Sequence, residues 1–251
     1  MTPVTLYIFS PNLLSFLFFS LIPILPFNHP LFSLNSLSFG KKGFIIPHNI
    51  RRVDLAGRDL TNYLSVLLSE RQLNFTTSGE MQTVRKIKEE LSYVALDYEK
   101  EQEKKEEQVS QDFLLPDKNT IKIQHERYKC MEPLFQPSLL SLDAIGVHQV
   151  LHETVSKCDI DLRKELFGNI VLSGGTCSTK GMRERMKKEL EKLVSTMKIN
   201  ILEKVNQKFA VWEGSSIVAE LPNFDGWISI DDYLEVGPSC VHPKDQREDD
   251  D

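Results

Sequence analysis

The first 40 residues contain no Asp, Glu, Lys or Arg. They are mostly Phe, Leu, Ile, Ser and Pro and differ from everything after them. A membrane span needs about 20 apolar residues, and residues 13–27 fall short and hold Pro23 and Pro26. A secretory signal needs a basic start and a small-residue cleavage site; the start here is uncharged and no such site is evident. The preferred reading is a leader, 1–42, that is not native to the fold, such as non-coding sequence translated from a misplaced gene start. No membrane partner is expected. The sequon Asn74-Phe75-Thr76 would matter only to a secreted chain.

Other absences narrow the function. The four cysteines are scattered without a C-x-x-C pair, so reduced thiols are expected rather than a disulfide framework or a zinc site. His148 and His152 stand four apart, but no third ligand lies at a telling spacing, so no metal is assigned to them. A net charge of −6 gives no electrostatic reason to expect direct nucleic-acid binding. There is neither a G-x-G-x-x-G fingerprint nor a Walker loop. The rest is ordinary for a globular protein: 41% hydrophobic and 26% charged residues over 251 positions, enough for one large domain or two small ones.

The central stretch is 170–181, Ile-Val-Leu-Ser-Gly-Gly-Thr-Cys-Ser-Thr-Lys-Gly. Its apolar run, paired glycines and following amphipathic segment predict strand, tight turn and helix. Gly174 and Gly175 lack a Cβ, so a ligand can approach the backbone closely, and their amides with the Thr176 hydroxyl can donate to phosphate or sugar oxygens. On pattern alone an ordinary strand-to-helix turn is the favoured reading. In the helix, Met182, Met186, Leu190 and Leu193 form one face, backed by Arg and Lys.

Upstream, residues 53–57 alternate like a short strand ending on a glycine turn, and Leu60, Leu64, Leu67 and Leu68 predict a helix over 59–71. Thr77 and Glu80 fit a capping box opening a helix that buries Met81, Val84, Ile87, Leu91 and Val94. Beside that apolar stripe stand Arg85, Lys88 and Glu89, which by spacing alone read as a solvated face with an intrahelical ion pair. Residues 99–108 read as a solvated helix end or loop, 113–123 as a hairpin, and 134–142 as an apolar loop of the kind that marks interfaces. Helices are expected over 147–158 and over 161–167, the latter capped by Asp161. A short strand is expected over 199–202, then a glycine-serine turn at 214–216 entering another helix. The tail 247–251 is acidic and expected to be disordered.

With these motifs placed, the chain from Gly43 to about Pro243 resembles the actin family. The blocks that carry the resemblance keep one order: Val53-Asp54-Leu55-Ala56-Gly57-Arg58-Asp59-Leu60-Thr61, Tyr93-Val94-Ala95-Leu96-Asp97, Leu134-Phe135-Gln136-Pro137-Ser138, Val171-Leu172-Ser173-Gly174-Gly175-Thr176, Trp227-Ile228-Ser229 and Gly237-Pro238-Ser239. The resemblance covers the C-terminal half of an actin and includes actin-related proteins. It implies an α/β architecture of the sugar-kinase and chaperone-ATPase type, C-terminal half only, with an incomplete mixed sheet whose open apolar edge would invite aggregation. The expected organisation is the leader 1–42, an actin-like region 43–243 and the acidic tail 244–251.

By the same resemblance, ATP or ADP would sit against Gly57, Arg85, Lys88, Glu89, Gly174, Gly175, Thr176 and Lys208. Actins usually carry a Met-Tyr pair where this chain has Ser178 and Thr179, which removes a stacking ring beside the adenine. The phosphate-gripping loops, and the residues that position magnesium or calcium, lie in the family upstream of Gly43; ATP hydrolysis is therefore not expected from this chain. Leu139, Leu140, Ser141 and Leu142 match an apolar plug of filament contacts. Two functions are expected in this order: a filament-forming cytoskeletal protein whose partners are actin-like protomers and actin-binding proteins in the cytoplasm, or a subunit of a larger chromatin-remodelling or dynein-associated assembly, with the nucleus expected for such a subunit.

Overall fold

The computed structural model describes residues 5–9, 36–41, 44–45, 49, 51–202, 207–222, 224 and 227–241. The tail expected over 247–251 and most of the leader lie outside the described residues.

Four short strands come first: β1 (Thr5–Phe9), β2 (Ser36–Lys41), β3 (Phe44–Ile45) and β4 (Arg51–Arg52). No strand forms over 53–57: β4 ends at Arg52, and Gly57 opens a helix instead of closing a strand. The cause is local: the Asp59 carboxylate accepts from the Ala56 amide at 2.8 Å, closing a first turn that begins two residues ahead of the expected start at Asp59. That helix, α1 (Gly57–Ser69), buries Leu60, Leu64, Leu67 and Leu68. The helix α2 (Ser78–Leu91) starts on the expected capping box. Thr77 Oγ1 accepts from the Glu80 amide at 3.3 Å, and the Glu80 carboxylate accepts from the Thr77 amide at 2.8 Å. Val84, Ile87 and Leu91 bury its face.

The charged run after it forms two single turns of helix, α3 (Tyr98–Gln102) and α4 (Glu106–Val109). The hairpin is present as β5 (Gln111–Leu114) and β6 (Thr120–Ile123), closed by Lys118 at φ 69° and by the Leu115 amide donating to Asn119 O. A short helix α5 (Glu126–Lys129) and two 3-10 turns, Glu132–Leu134 and Pro137–Leu140, follow. Next come α6 (Val147–Ser156) and α7 (Ile160–Phe167). The latter starts one residue before Asp161, with Asp159 at the N-cap and no side-chain cap bond.

Strand β7 (Ile170–Ser173) is buried at all four residues, as a strand covered on both faces must be. It pairs in parallel with β8 (Ile201–Leu202) and antiparallel with β1, Leu6 opposite Leu172. The sheet runs β3-β2-β1-β7-β8, with β4 pairing β2. The edge of β7 expected to stand open is therefore occupied, by a strand from the uncharged segment.

Helix α8 (Met182–Leu193) lays Met182, Met186 and Leu190 into the core. Leu193 leaves that face, 42% exposed, and Val194 is buried in its place. Arg185 does not back the helix towards solvent as expected; it is 5% exposed. The glycine-serine turn expected at 214–216 lies inside α9 (Ala210–Ala219), where the Ser215 hydroxyl donates to Val211 O at 2.8 Å. Among the described residues the last α-helix is α10 (Ile230–Val236), followed by a 3-10 turn, Gly237–Val241.

Gly181, at φ 84°, joins the central turn to α8, and a Cβ there would lie 2.3 Å from Val94 O. Next to it the Val94 amide donates to Lys180 O at 2.8 Å, so the backbones are pressed together. Gly181→Ala should lose about 3 kcal/mol of stability through left-handed strain and overpacking. Gly79→Ala, where nothing lies within 4 Å, should gain about 0.5 kcal/mol. Urea unfolding of the pair measures both, and equal midpoints would show that the Gly181 contact does not constrain the fold.

Candidate functional site

Two adjoining clefts share Lys88 and Glu89 as a common ridge. The first, about 320 Å³, lies between that ridge and Gly175, Thr176, Lys180 and Lys208. The second, about 390 Å³, lies between the ridge and Gly57, Arg58, Thr61 and Arg85. Every sequence-predicted cleft residue thus converges here from four separate segments, with Gly174 one residue back from the lining.

Each segment is positioned by its own local physics. Helix α2 presents Arg85, Lys88 and Glu89 on the side that its apolar stripe leaves free. The Lys88 ammonium donates to the carbonyl of Gly57 and to Thr61 Oγ1 at 2.8 Å, while Thr61 donates to the same carbonyl at 2.8 Å. Burial holds the Lys88 ammonium below the ordinary lysine range. Those bonds lock the start of α1 against α2.

Opposite them, Gly174 takes φ 96°, a conformation natural to glycine, and its amide donates to Gln207 O at 3.0 Å. That bond brings Lys208 to the cleft mouth, where its ammonium meets Glu89 Oε2 at 3.3 Å. Glu89 Oε1 accepts from Arg85 Nε at 2.8 Å, so one carboxylate bridges two cations. Partial burial pushes Glu89 up, but the hydrogen bonds and charges of Arg85 and Lys208 outweigh it and hold the carboxyl below its ordinary range. The stripe that reads from spacing as an intrahelical pair is therefore half of a contact between distant segments.

Sequence reasoning missed Thr61, Ser92, Met131 and Lys180 as cleft residues. Thr61 was signalled by its place one helical turn after Gly57. Ser92 and Met131 carried no signal, because only the tertiary fold brings them together. The interface loop stands apart from both clefts. Leu139 and Leu142 are 37% and 40% exposed, Ser141 takes the left-handed conformation at φ 55°, and Leu140 packs on the core. His148 and His152 stack on Phe135 and Phe167 rather than on each other. Burial pushes the Cys130 thiol up to about 11, where it is inert as a nucleophile. Among the described residues no helix is long and apolar enough to cross a membrane.

A family model described as Actin matches residues 41–246. The chain belongs to the actin family. An "Actin-like protein" of Neurospora crassa is 42% identical over 210 residues, which cover 81% of this chain and 55% of that relative. The chain thus spans about half the length of the curated relative it matches. The cleft described above lies within the matched residues, as do all eight sequence-predicted positions.

A carboxyl held low in the folded state stabilises above the unfolded glutamate value, about 4.3, and loses that contribution as pH falls through the folded value. Wild type should therefore exceed Glu89→Gln in stability at pH 7, by a margin that closes below the ordinary glutamate range. The margin is small, because both partners are exposed and screened, and should shrink in 1 M salt. Urea titrations at pH 7 and in acid, with and without salt, measure it; a gap that persists in acid would show that Glu89 acts by packing.

Proposed function

We propose that this chain is an actin-like cytoskeletal protein that carries the C-terminal half of the actin fold and binds ATP or ADP along the clefts that share Lys88 and Glu89. The observation that supports it is the convergence of Gly57, Arg85, Lys88, Glu89, Gly174, Gly175, Thr176 and Lys208 from four segments onto one ridge. Their chemistry fits a nucleotide: ammonium and guanidinium groups for phosphate, a carboxylate for ribose hydroxyls, and glycine backbone for close approach. The nucleotide would supply the charge of its phosphate chain; Lys208, held by a screened pair with Glu89, is among the residues that would hold it. A divalent metal, magnesium or calcium, is proposed only for a chain that also carries phosphate-side loops. Calorimetry should detect ATP binding to the chain, weakened about tenfold in Glu89→Ala, with the fold retained by circular dichroism. An absence of ATP binding by the folded wild-type chain would remove the nucleotide reading.

The role proposed is structural, in filaments of actin-like protomers in the cytoplasm, with Leu139, Leu140, Ser141 and Leu142 as a contact. The exposure of Leu139 and Leu142 on a loop whose neighbours from Ser138 to Ile145 are also mostly exposed supports it. A second reading, a subunit of a larger cytoplasmic or nuclear assembly, is favoured by a different surface. Trp212 and, on α10, Ile230 and Leu234 are 72%, 78% and 76% exposed, and Trp227 in the segment between the helices is 68% exposed; large exposed apolar side chains mark interaction sites where they cluster. Sedimentation after adding magnesium and salt separates the two. Filaments should pellet, and Leu139→Asp with Leu142→Asp should keep the protein in the supernatant; a soluble wild type that co-purifies with a stoichiometric partner supports the assembly role instead.

A further inference from the structure

The loop 136–145 leaves the core at Phe135 and rejoins it at Gly146, and one imidazole packs against both stems. The His148 ring stacks on Phe135, with centroids 5.7 Å apart and planes 29° from parallel. At the other stem, a Cβ on Gly146 would lie 2.7 Å from His148 Cε1, 2.9 Å from its Nδ1 and 2.3 Å from Phe135 O, so ring and stems are pressed together. The loop's own bonds reach from Gln136 to Leu142, where the Leu142 amide donates to Pro137 O at 3.3 Å. Beyond it Asp143, Ala144 and Ile145 are exposed, and their amides donate to no backbone group among the described residues. The second half of the loop is therefore closed by the packing of Phe135, Gly146 and His148.

That packing suits a neutral imidazole and not a charged one. His148 Nδ1 is buried without a hydrogen-bond partner among the described residues. In a neutral ring with its proton on Nε2 this atom is a bare lone pair; a second proton would turn it into a charged donor with no acceptor. The surrounding groups give no relief. Arg185 on α8 already lies 4.8 Å from the Phe135 ring centroid, and with Lys192 it opposes a further positive charge. Glu189 attracts one, but its carboxylate accepts from Arg185 at 2.8 Å and from Lys192 at 2.8 Å. Glu132 accepts from Arg185 through both oxygens. Of the other groups that line a cleft of about 430 Å³ with His148, Asp97 is paired with Lys188, Tyr98, Gln136 and Gln149 are neutral, and Glu99 is exposed to water. Burial, ahead of these charges, holds the imidazole below the ordinary histidine range.

We propose that His148 is a proton-operated latch on the loop 136–145: neutral, it holds the two stems together, and on taking up a proton it leaves its seat and frees the loop that carries Leu139 and Leu142. The latch acts on this loop whatever the loop meets, and so stands apart from the nucleotide and filament readings. A group that takes its proton more readily in the open loop than in the closed one favours opening as pH falls through its open value, about 6.5. Above that value the loop is held closed.

Amide hydrogen exchange of the full chain, followed by mass spectrometry at pH 7.5 and 6.0 and corrected for the intrinsic exchange rate, tests it. Protection over 139–147 should fall by about fourfold at the lower pH, the linkage limit for a proton bound only by the open loop, while helix α2 keeps its protection. His148→Phe, which keeps a ring and cannot titrate, should hold the loop closed at both pH values. His152→Gln should leave the wild-type response in place. In the wild-type chain, an NMR titration of the His148 Cε1 proton should give a midpoint below the ordinary histidine value. A wild-type loop equally protected at both pH values, or a His148 midpoint at or above the ordinary value, would overturn the latch. So would a pH response that survives in folded His148→Phe.

Discussion

The guanidinium of Arg185 holds together the segments that shape the cleft. From within α8 it donates to Ala95 O at 2.7 Å, to Glu132 through two bonds at 2.9 and 3.2 Å, and to Glu189 at 2.8 Å, while lying 4.8 Å from the Phe135 ring centroid. A helix, a loop and a 3-10 turn thus meet on one planar group, a use that the five fixed donors of arginine permit and lysine does not. Burial pushes Glu132 up more than Arg185 draws it down. The pair therefore contributes little net stability, while breaking it would leave a buried charge at a cost of about 3–5 kcal/mol. Its role is to specify position. Arg185 sets α8, α8 sets Gly181, and Gly181 sets the backbone contact between Lys180 and Val94.

The ridge of Lys88 and Glu89 depends on that placement. Helix α2 could carry both side chains alone, but Glu89 reaches Lys208 only because Gly174 turns through φ 96° and binds Gln207. Lys88, in contrast, is tied to its own side of the cleft through Gly57 and Thr61. One cation is therefore held by a partly buried bond network and the other by a screened surface pair, and a bound anion would displace Lys208 more readily than Lys88.

This difference also marks how much was legible in the sequence. Elements governed by neighbours along the chain could be read: the Thr77–Glu80 box, the hairpin around Lys118, and the strand-turn-helix around Gly174. The cleft residues were legible only through the resemblance, because spacing alone gave Arg85, Lys88 and Glu89 a solvated face. Failures came where tertiary packing reversed a local preference. Arg185 looked like helix backing because charge usually faces water, yet Glu132, fifty-three residues away, compensates it. Gly214-Ser215-Ser216 looked like a turn, but small residues also suit a helix whose Gly214 is buried.

The pairing of β1 with β7 follows from the same kind of competition. A strand as apolar as Ile170–Ser173, buried on both faces, leaves unpaired amides and carbonyls that are costly away from water. An extended segment can supply the missing partners, since the antiparallel ladder is made by backbone groups. Thr5–Phe9 supplies them, in register from Thr5 opposite Ser173 to Ile8 opposite Ile170. The edge of β7 is met through backbone pairing, whereas the cleft at its far end depends on named side chains. The strand supports both: hydrogen bonds that many segments could make along its edge, and a glycine turn at its end that few sequences would allow.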